Sequence, residues 1–392
     1  MTMLIKDISK PENYIYAERY VNRYKRTVVN KTSERYQPKT GESQFILPYI
    51  ELPLTDVKLL LSKPKKEIYK KIISKDKVKF FVHPDMINEL DWVKNNSLIL
   101  DKFVQPTAST RTLLVKNQEF FIKLHLNKRI SSYIRRLREN SVAHSILISS
   151  EIEKNLTTCP KTFGYLPESI GVSYKDVGMI IREKTPRPKI KEKRNLVPLF
   201  SIYSKDIRNK DHKPLFVQIV KQKNADPLDF FIERIVRPLF INMSFFINNY
   251  GILLECHGQN VLVEIDRDLE ITRLIHRDFQ SIYLDKELRK KNGLKTNFKK
   301  HIMGEECPKE VSYSLVYDQY LGKHVLDKFV NLLNREFGIP KASIIIEIRK
   351  LFEQYFDRSL FPENYYYLYK KVKFVDNNTK FERYNRKPKY RR

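Results

Sequence analysis

The feature that most narrows the fold is a pair of alternating apolar runs with polar residues gathered at one end. Val261, Val263 and Ile265, then Ile271 and Leu274, follow the period of a β-strand, with Asp266-Arg267-Asp268 as the turn between them. Glu255-Cys256-His257-Gly258-Gln259-Asn260 leads into this predicted hairpin and Arg277-Asp278-Phe279 leaves it. Centred near residue 268, the hairpin sets Asn260 opposite His276 and Gly258 opposite Asp278, returning Asp278 beside His257 and Glu255. Two carboxylates, an imidazole and two carboxamides at one hairpin end suit a metal-bound phosphate and an acid substrate.

A second hairpin is predicted over residues 111–126. Thr110–Val115 and Phe120–Leu126 flank Lys116-Asn117-Gln118-Glu119, which places Lys123 opposite Thr112. A helix is expected from about 130 to 153, with Ile130, Ile134, Leu137, Ser141, Ile148 and Ile152 near one stripe. Ser131 and Ser132 would cap it and Arg135 would lie one turn in, so that Ser109, Arg111, Lys123 and Arg135 surround one anion. Arginine grips phosphate with two parallel donors, whereas lysine acts as a point charge. Solvated positions on an exposed sheet face are the plain alternative for Arg111 and Lys123, and a structural histidine for His257.

The rest of the chain supplies the frame. Residues 161–183 read as strands, with Gly164, Gly171 and Gly178 at turns or bulges. Lys184–Arg194, with Pro186 and Pro188, reads as a basic linker or loop. Residues 195–254 read as mainly helical, and 323–337 and 341–357 as helices separated by Gly338 and Pro340. The expected class is α+β: a strand-rich lobe over 1–194, then a mostly helical lobe over 195–392 that carries the 255–278 hairpin.

Lys+Arg of 74 against Asp+Glu of 46 gives a formal charge of +28, which attracts anions of any kind or reflects compositional bias. A basic nucleic-acid-binding protein is therefore an alternative class, although no helix-turn-helix, zinc-finger or RNP-type motif is present. The three cysteines, Cys159, Cys256 and Cys307, are too scattered for a disulfide framework or a zinc site. The amino terminus lacks the apolar core of a signal peptide, and Pro238–Leu254 is interrupted by Asn242, Asn248 and Asn249. A cytoplasmic protein without a membrane segment is the expectation. No Walker, dinucleotide, Gly-x-Ser-x-Gly or His-Glu-x-x-His pattern competes with the hairpin residues.

Taken together, these segments resemble the IucA/IucC family, the NRPS-independent siderophore synthetases. The resemblance runs through Ser109–Thr112, Lys123 and Arg135, then Val177-Gly178-Met179-Ile180-Ile181-Arg182-Glu183, Gly251–Asn260 and Arg277-Asp278-Phe279. His83-Pro84 and Arg35-Tyr36-Gln37-Pro38 are similar to further family segments, and Lys370–Phe374 to a carboxyl-terminal one. The resemblance implies a "fingers" lobe followed by a "palm" lobe, with the amino-terminal "thumb" largely missing. It implies ATP and Mg²⁺ as cofactors, and adenylation of a carboxylate, citrate or a related acid, followed by amide formation with an amine or hydroxylamine. Ser109, Arg111, Lys123, Ser131, Arg135 and Arg182 would then hold nucleotide and activated carboxylate, with Lys123, Arg135 and His257 nearest the chemistry. His257, Gln259 and Asn260 would position the nucleotide, and Glu255 and Asp278 would bind Mg²⁺. A homodimer, or a partner supplying the upstream region, is the implied assembly. A split or catalytically degenerate homologue that binds nucleotide or a partner is the alternative within the family. The iron–sulfur reductase module associated with the family needs a four-cysteine cluster that this chain lacks.

Overall fold

The computed structural model describes residues 13–22, 31–130, 133–192, 194–298, 302–303, 307–366, 383–384 and 387–392. Ser131, Ser132, His301 and Lys370–Phe374 lie outside the described residues.

Nine antiparallel strands form one large sheet. Their order is Lys58–Leu61, Glu168–Tyr174, Val177–Glu183, Phe120–Leu124, Thr112–Val115, Ile99–Pro106, Phe45–Pro53, Lys77–Phe81 and Ile73–Ser74. The central strands are buried along their whole length, as expected where both faces of a sheet are covered. One face packs an aliphatic and aromatic core that includes Leu47, Phe80, Val104, Leu113, Ile122 and Ile181. Because side chains alternate, Thr112, Leu114, Phe121, Lys123, Ile180 and Arg182 share the other face. That face carries the chemistry.

A smaller sheet sets Phe163–Tyr165 parallel to Ile271–His276, followed by Val261–Ile265 and Asn195–Pro198. Helices Leu215–Lys223, Arg237–Tyr250, Asp327–Phe337 and Lys341–Tyr355 surround it and share its core. One strand from the first half of the chain, Phe163–Tyr165, therefore forms an edge of the second sheet. Helix Glu139–Lys154 packs on strand Glu168–Tyr174 of the large sheet, one in from its edge, and its Ile148 and Ile152 belong to the second core.

Three expectations need correction. The helix begins at Glu139, not near 130: Arg129–Ile130 pairs with Tyr133–Ile134, and the Arg135 amide bonds the Lys128 carbonyl at 3.1 Å. Ile134 is exposed while Ile130 is buried, so the two never shared an inward stripe. Arg135 accordingly sits in a loop and not on a helix flank. Second, Gly171 and Gly178 lie within strands, and the turn between them is Lys175-Asp176, both at positive φ. Gly171 serves close packing instead: a Cβ there would stand 2.6 Å from Val142 and Ile146. Third, the 261–276 hairpin slips by one residue at a bulge between Glu264 and Ile265, pairing Val261 with His276. Asn260 therefore faces Arg277, whose amide donates to its carbonyl at 2.9 Å.

Candidate active site

The hairpin over 112–124 has the expected register, with Thr112 opposite Lys123. It delivers Lys123 into a strand with no exposed residue, and the Lys123 side chain is itself fully buried. An ammonium in such a place must be paired. Lys123 Nζ donates to a carboxylate oxygen of Asp278, which arrives from the end of the smaller sheet. Arg182 Nη2 lies 3.8 Å from the same oxygen. Burial alone would raise the Asp278 carboxyl, but Lys123, Arg182 and Arg111 outweigh it and hold the group far below the usual carboxylate range. The Asp278 side chain is 27% exposed, so it forms the open rim of an otherwise closed cation cluster.

Arg182 is anchored by Glu168, directly across the strand pair, through Nη2 at 2.5 Å and Nε at 3.1 Å. The other Glu168 oxygen accepts from the Phe279 amide at 3.2 Å and from Ser145 Oγ. Arg111 donates to the Arg135 carbonyl at 2.9 Å and to Gln280 Oε1 at 2.8 Å. Burial, then the neighbouring charges of Arg135 and Arg182, pushes the Arg111 guanidinium down to about 10. Burial likewise lowers Lys123, with Asp278 pulling in the opposite direction. Ser109 Oγ accepts the Thr112 amide at 3.1 Å and closes a tight turn in which Thr110 adopts φ 63°.

The second group of expected residues forms a separate turn. Asn260 Nδ2 donates to Glu255 Oε2 at 2.8 Å, and His257 Nε2 stands 3.8 Å from Glu255 Oε1. The Gln259 amide donates to His257 Nδ1 at 3.2 Å, which leaves the proton of a neutral ring on Nε2, facing Glu255. The ring meets Tyr320 edge-on at 5.7 Å. Gly258 is required by close approach: a Cβ would stand 2.3 Å from the Tyr203 hydroxyl. Arg277 joins the two groups, donating through Nε to the Gln259 carbonyl at 2.8 Å while standing next to Asp278 in the chain.

Glu255 and Asp278 offer the hard oxygens that Mg²⁺ prefers. Among the described residues no group of three or more His, Cys, Asp or Glu side chains is set to hold a metal by itself.

Sequence reasoning missed Glu18, Glu168 and Gln280, each of which holds a site residue in place. Counting back from a turn at Lys175-Asp176 sets Ser169 opposite Arg182; a bulge between Glu168 and Ile170 brings Glu168 there instead, and no local pattern announces it. Glu18 left no local signal, because its partners are distant in the chain.

The IucA/IucC family model matches residues 67–204, and the model of the ferric iron reductase FhuF-like transporter family matches residues 229–364. In the second segment Cys256 and Cys307 are both buried, and burial raises the Cys256 thiol well above its ordinary range, against a thiolate ligand. Staphyloferrin A synthase of Staphylococcus aureus (strain NCTC 8325 / PS 47) is 26% identical over 207 residues, 50% of this chain and 35% of that protein. The chain thus spans only about a third of the curated relative it matches. ATP-bound aerobactin synthetase IucA from a hypervirulent pathotype of Klebsiella pneumoniae shares the fold at a TM-score of 0.66 and 15% identity, over 89% of this chain and 72% of that one. The petrobactin biosynthesis protein AsbB of Bacillus anthracis str. Sterne does so at 0.61 and 18% identity, over 80% of this chain and 61% of that one. Among the described residues no helix is long and apolar enough to cross a membrane. Residues 67–204 are thus similar to the IucA/IucC family, and the fold that carries them is one that an aerobactin synthetase shares.

Proposed function

We propose that this protein is an ATP-dependent acid–amine ligase of siderophore biosynthesis. A carboxylate of citrate or a related acid attacks the α-phosphorus of ATP, pyrophosphate leaves, and an acyl-adenylate forms. An amine or hydroxylamine nitrogen then attacks the acyl carbon, AMP leaves, and the nitrogen loses its proton as the amide forms. The observation that carries this reading is the convergence of Lys123, Arg182 and Arg111 on one partly open carboxylate, Asp278. Three cations held in a closed wall, with one internal anion at its mouth, suit a polyphosphate that needs charge stabilisation more than a protein nucleophile.

In this reading Ser109, Arg111, Lys123, Arg135 and Arg182 bind phosphate and the activated carboxylate. Lys123 would turn from Asp278 to a phosphate oxygen, and Asp278 and Glu255 are the carboxylates that would hold Mg²⁺. The ion would neutralise charge on the phosphates. His257, with Nε2 as donor, and the carboxamides of Gln259 and Asn260 orient nucleotide and acid. The likeness of 67–204 to the IucA/IucC family, the staphyloferrin A synthase relative and the fold of an ATP-bound aerobactin synthetase support the same chemistry. The reaction belongs in the cytoplasm, where ATP is available.

Incubation with ATP, Mg²⁺, citrate and a diamine or hydroxylamine should release pyrophosphate in an acid-dependent manner. Asp278→Ala and His257→Ala should each lower that rate by about 100-fold or more. Absence of acid-dependent pyrophosphate release across a panel of polycarboxylic acids overturns the assignment.

A further inference from the structure

We infer that Glu18 is a positioning residue that holds two strained turns of the site in a fixed relation; its catalytic consequence rests on the function proposed above. Glu18 is fully buried on helix Asn13–Tyr20, which packs on strand Asn195–Pro198. One carboxylate oxygen pairs with Arg277 Nη1 at 2.6 Å and accepts from the Tyr14 hydroxyl at 2.9 Å. The other accepts the Ala108 amide at 3.1 Å.

The Ala108 and Arg277 contacts each lead to a residue with unfavourable backbone geometry. Ala108 precedes the Ser109-Thr110-Arg111 turn, in which the β-branched Thr110 sits at φ 63°. Arg277 precedes Asp278, at φ 71° and ψ 77°. Left-handed backbone at threonine or aspartate persists only where surrounding contacts impose it. Glu18 is a contact common to both turns, and they carry Ser109 and Arg111 on one side and Asp278 on the other. Burial works against the Arg277 charge, yet Glu18, with Tyr14 beside it, more than compensates and keeps the guanidinium firmly protonated. Through Arg277 Nε and the Gln259 carbonyl the same strut reaches the Glu255–Asn260 turn. Glu18 touches no reacting atom in this arrangement. It sets the distance between the cation wall and the carboxylate that faces it.

Hydrogen exchange in the intact protein tests this directly. Glu18→Gln should speed amide exchange in segments 107–112 and 276–279 together, by about tenfold, with helix Lys341–Tyr355 unchanged. Glu18→Asp keeps the charge but shortens the reach, and should give the same pattern more weakly. Exchange altered in one segment alone, in neither, or throughout the protein overturns the strut, as does failure of both variants to fold. Kinetics supply the second arm: below both melting transitions, Glu18→Gln should raise the ATP KM and lower kcat, each by about tenfold. A purely structural role would lower the melting temperature and leave both constants of the folded enzyme unchanged. Wild-type protein that neither binds ATP nor releases pyrophosphate defeats the proposed function, while the exchange pattern still decides the strut.

Discussion

Lys123, fully buried on a central strand, donates to the carboxylate of Asp278 across the seam between the large sheet and the 261–276 hairpin. Removing one partner of such a pair leaves the other charge desolvated and uncompensated. Lys123→Met is therefore expected to cost about 3 kcal/mol of stability, read as a shift in the urea midpoint at constant m-value. Pyrophosphate release should be lost at the same time, even at temperatures where the variant remains folded. A variant with wild-type stability and turnover would show that the pair is dispensable.

Gly258→Ala should disturb the Glu255–Asn260 turn by steric conflict with Tyr203 and Phe200. The added Cβ would stand 2.3 Å from the Tyr203 hydroxyl and 3.2 Å from Phe200 Cβ. Overpacking of this kind costs roughly 1–3 kcal/mol. Tyr203→Phe removes the nearest atom, along with its hydrogen bond to the His324 carbonyl at 3.0 Å. The double variant should recover part of the loss, so a fully additive result in thermal unfolding would contradict the steric explanation.

What the sequence disclosed and what it hid have separate physical causes. The 112–124 register was legible because two short apolar runs flank one polar turn around Asn117, at φ 58°, which fixes the centre. The 261–276 hairpin was legible as a hairpin but not in its register, since a bulge next to Ile265 leaves the apolar alternation almost intact. The helix start near 130 was misread because Ile130 and Ile134 mimic helical spacing, while the backbone of 128–135 is taken up in pairing. Lys123 and Asp278 were singled out on chemical type, yet their direct contact joins a strand of one sheet to the segment that leaves the other, which no local pattern encodes. Glu18 was invisible for the same reason: its helix is short and polar, and Arg277 and Ala108 meet it only in the folded chain.

Acid should weaken the fold through His83. The ring is fully buried against Tyr36 and Phe45, and Nδ1 accepts the Asp85 amide at 3.1 Å, so the neutral form carries its proton on Nε2. Burial pushes the group from 6.5 down to about 4, with the Asp85 carboxylate acting in the opposite direction. The unfolded chain then binds the extra proton first. The contribution of His83 is complete above pH 6.5 and is lost as pH falls towards 4, a loss of about 3 kcal/mol. Burial lowers His276 further, to about 3, and adds to the same trend. Urea midpoints measured between pH 7 and 4 should therefore fall less steeply for His83→Phe than for wild type, and equal slopes would remove His83 from the account.

The buried pair Asp318–Arg391 calls for a double-mutant cycle. Arg391 Nε and Nη2 reach Asp318 at 3.0 and 2.9 Å, and Ser314 Oγ donates to the same carboxylate at 2.7 Å. Asp318 lies on the wide-turn helix Leu315–Leu326, which also presents Tyr320 to the His257 ring. Segment 387–392 is thus tied to the element beside the candidate site. Asp318→Leu and Arg391→Met should each destabilise by about 3 kcal/mol, because each strands a charge in the interior. Asp318→Leu combined with Arg391→Met removes both charges at once, and apolar replacement of a buried pair is close to neutral. The double variant should therefore be more stable than either single variant in chemical unfolding. Additive losses would mean that the two residues contribute through separate contacts and not through their pairing.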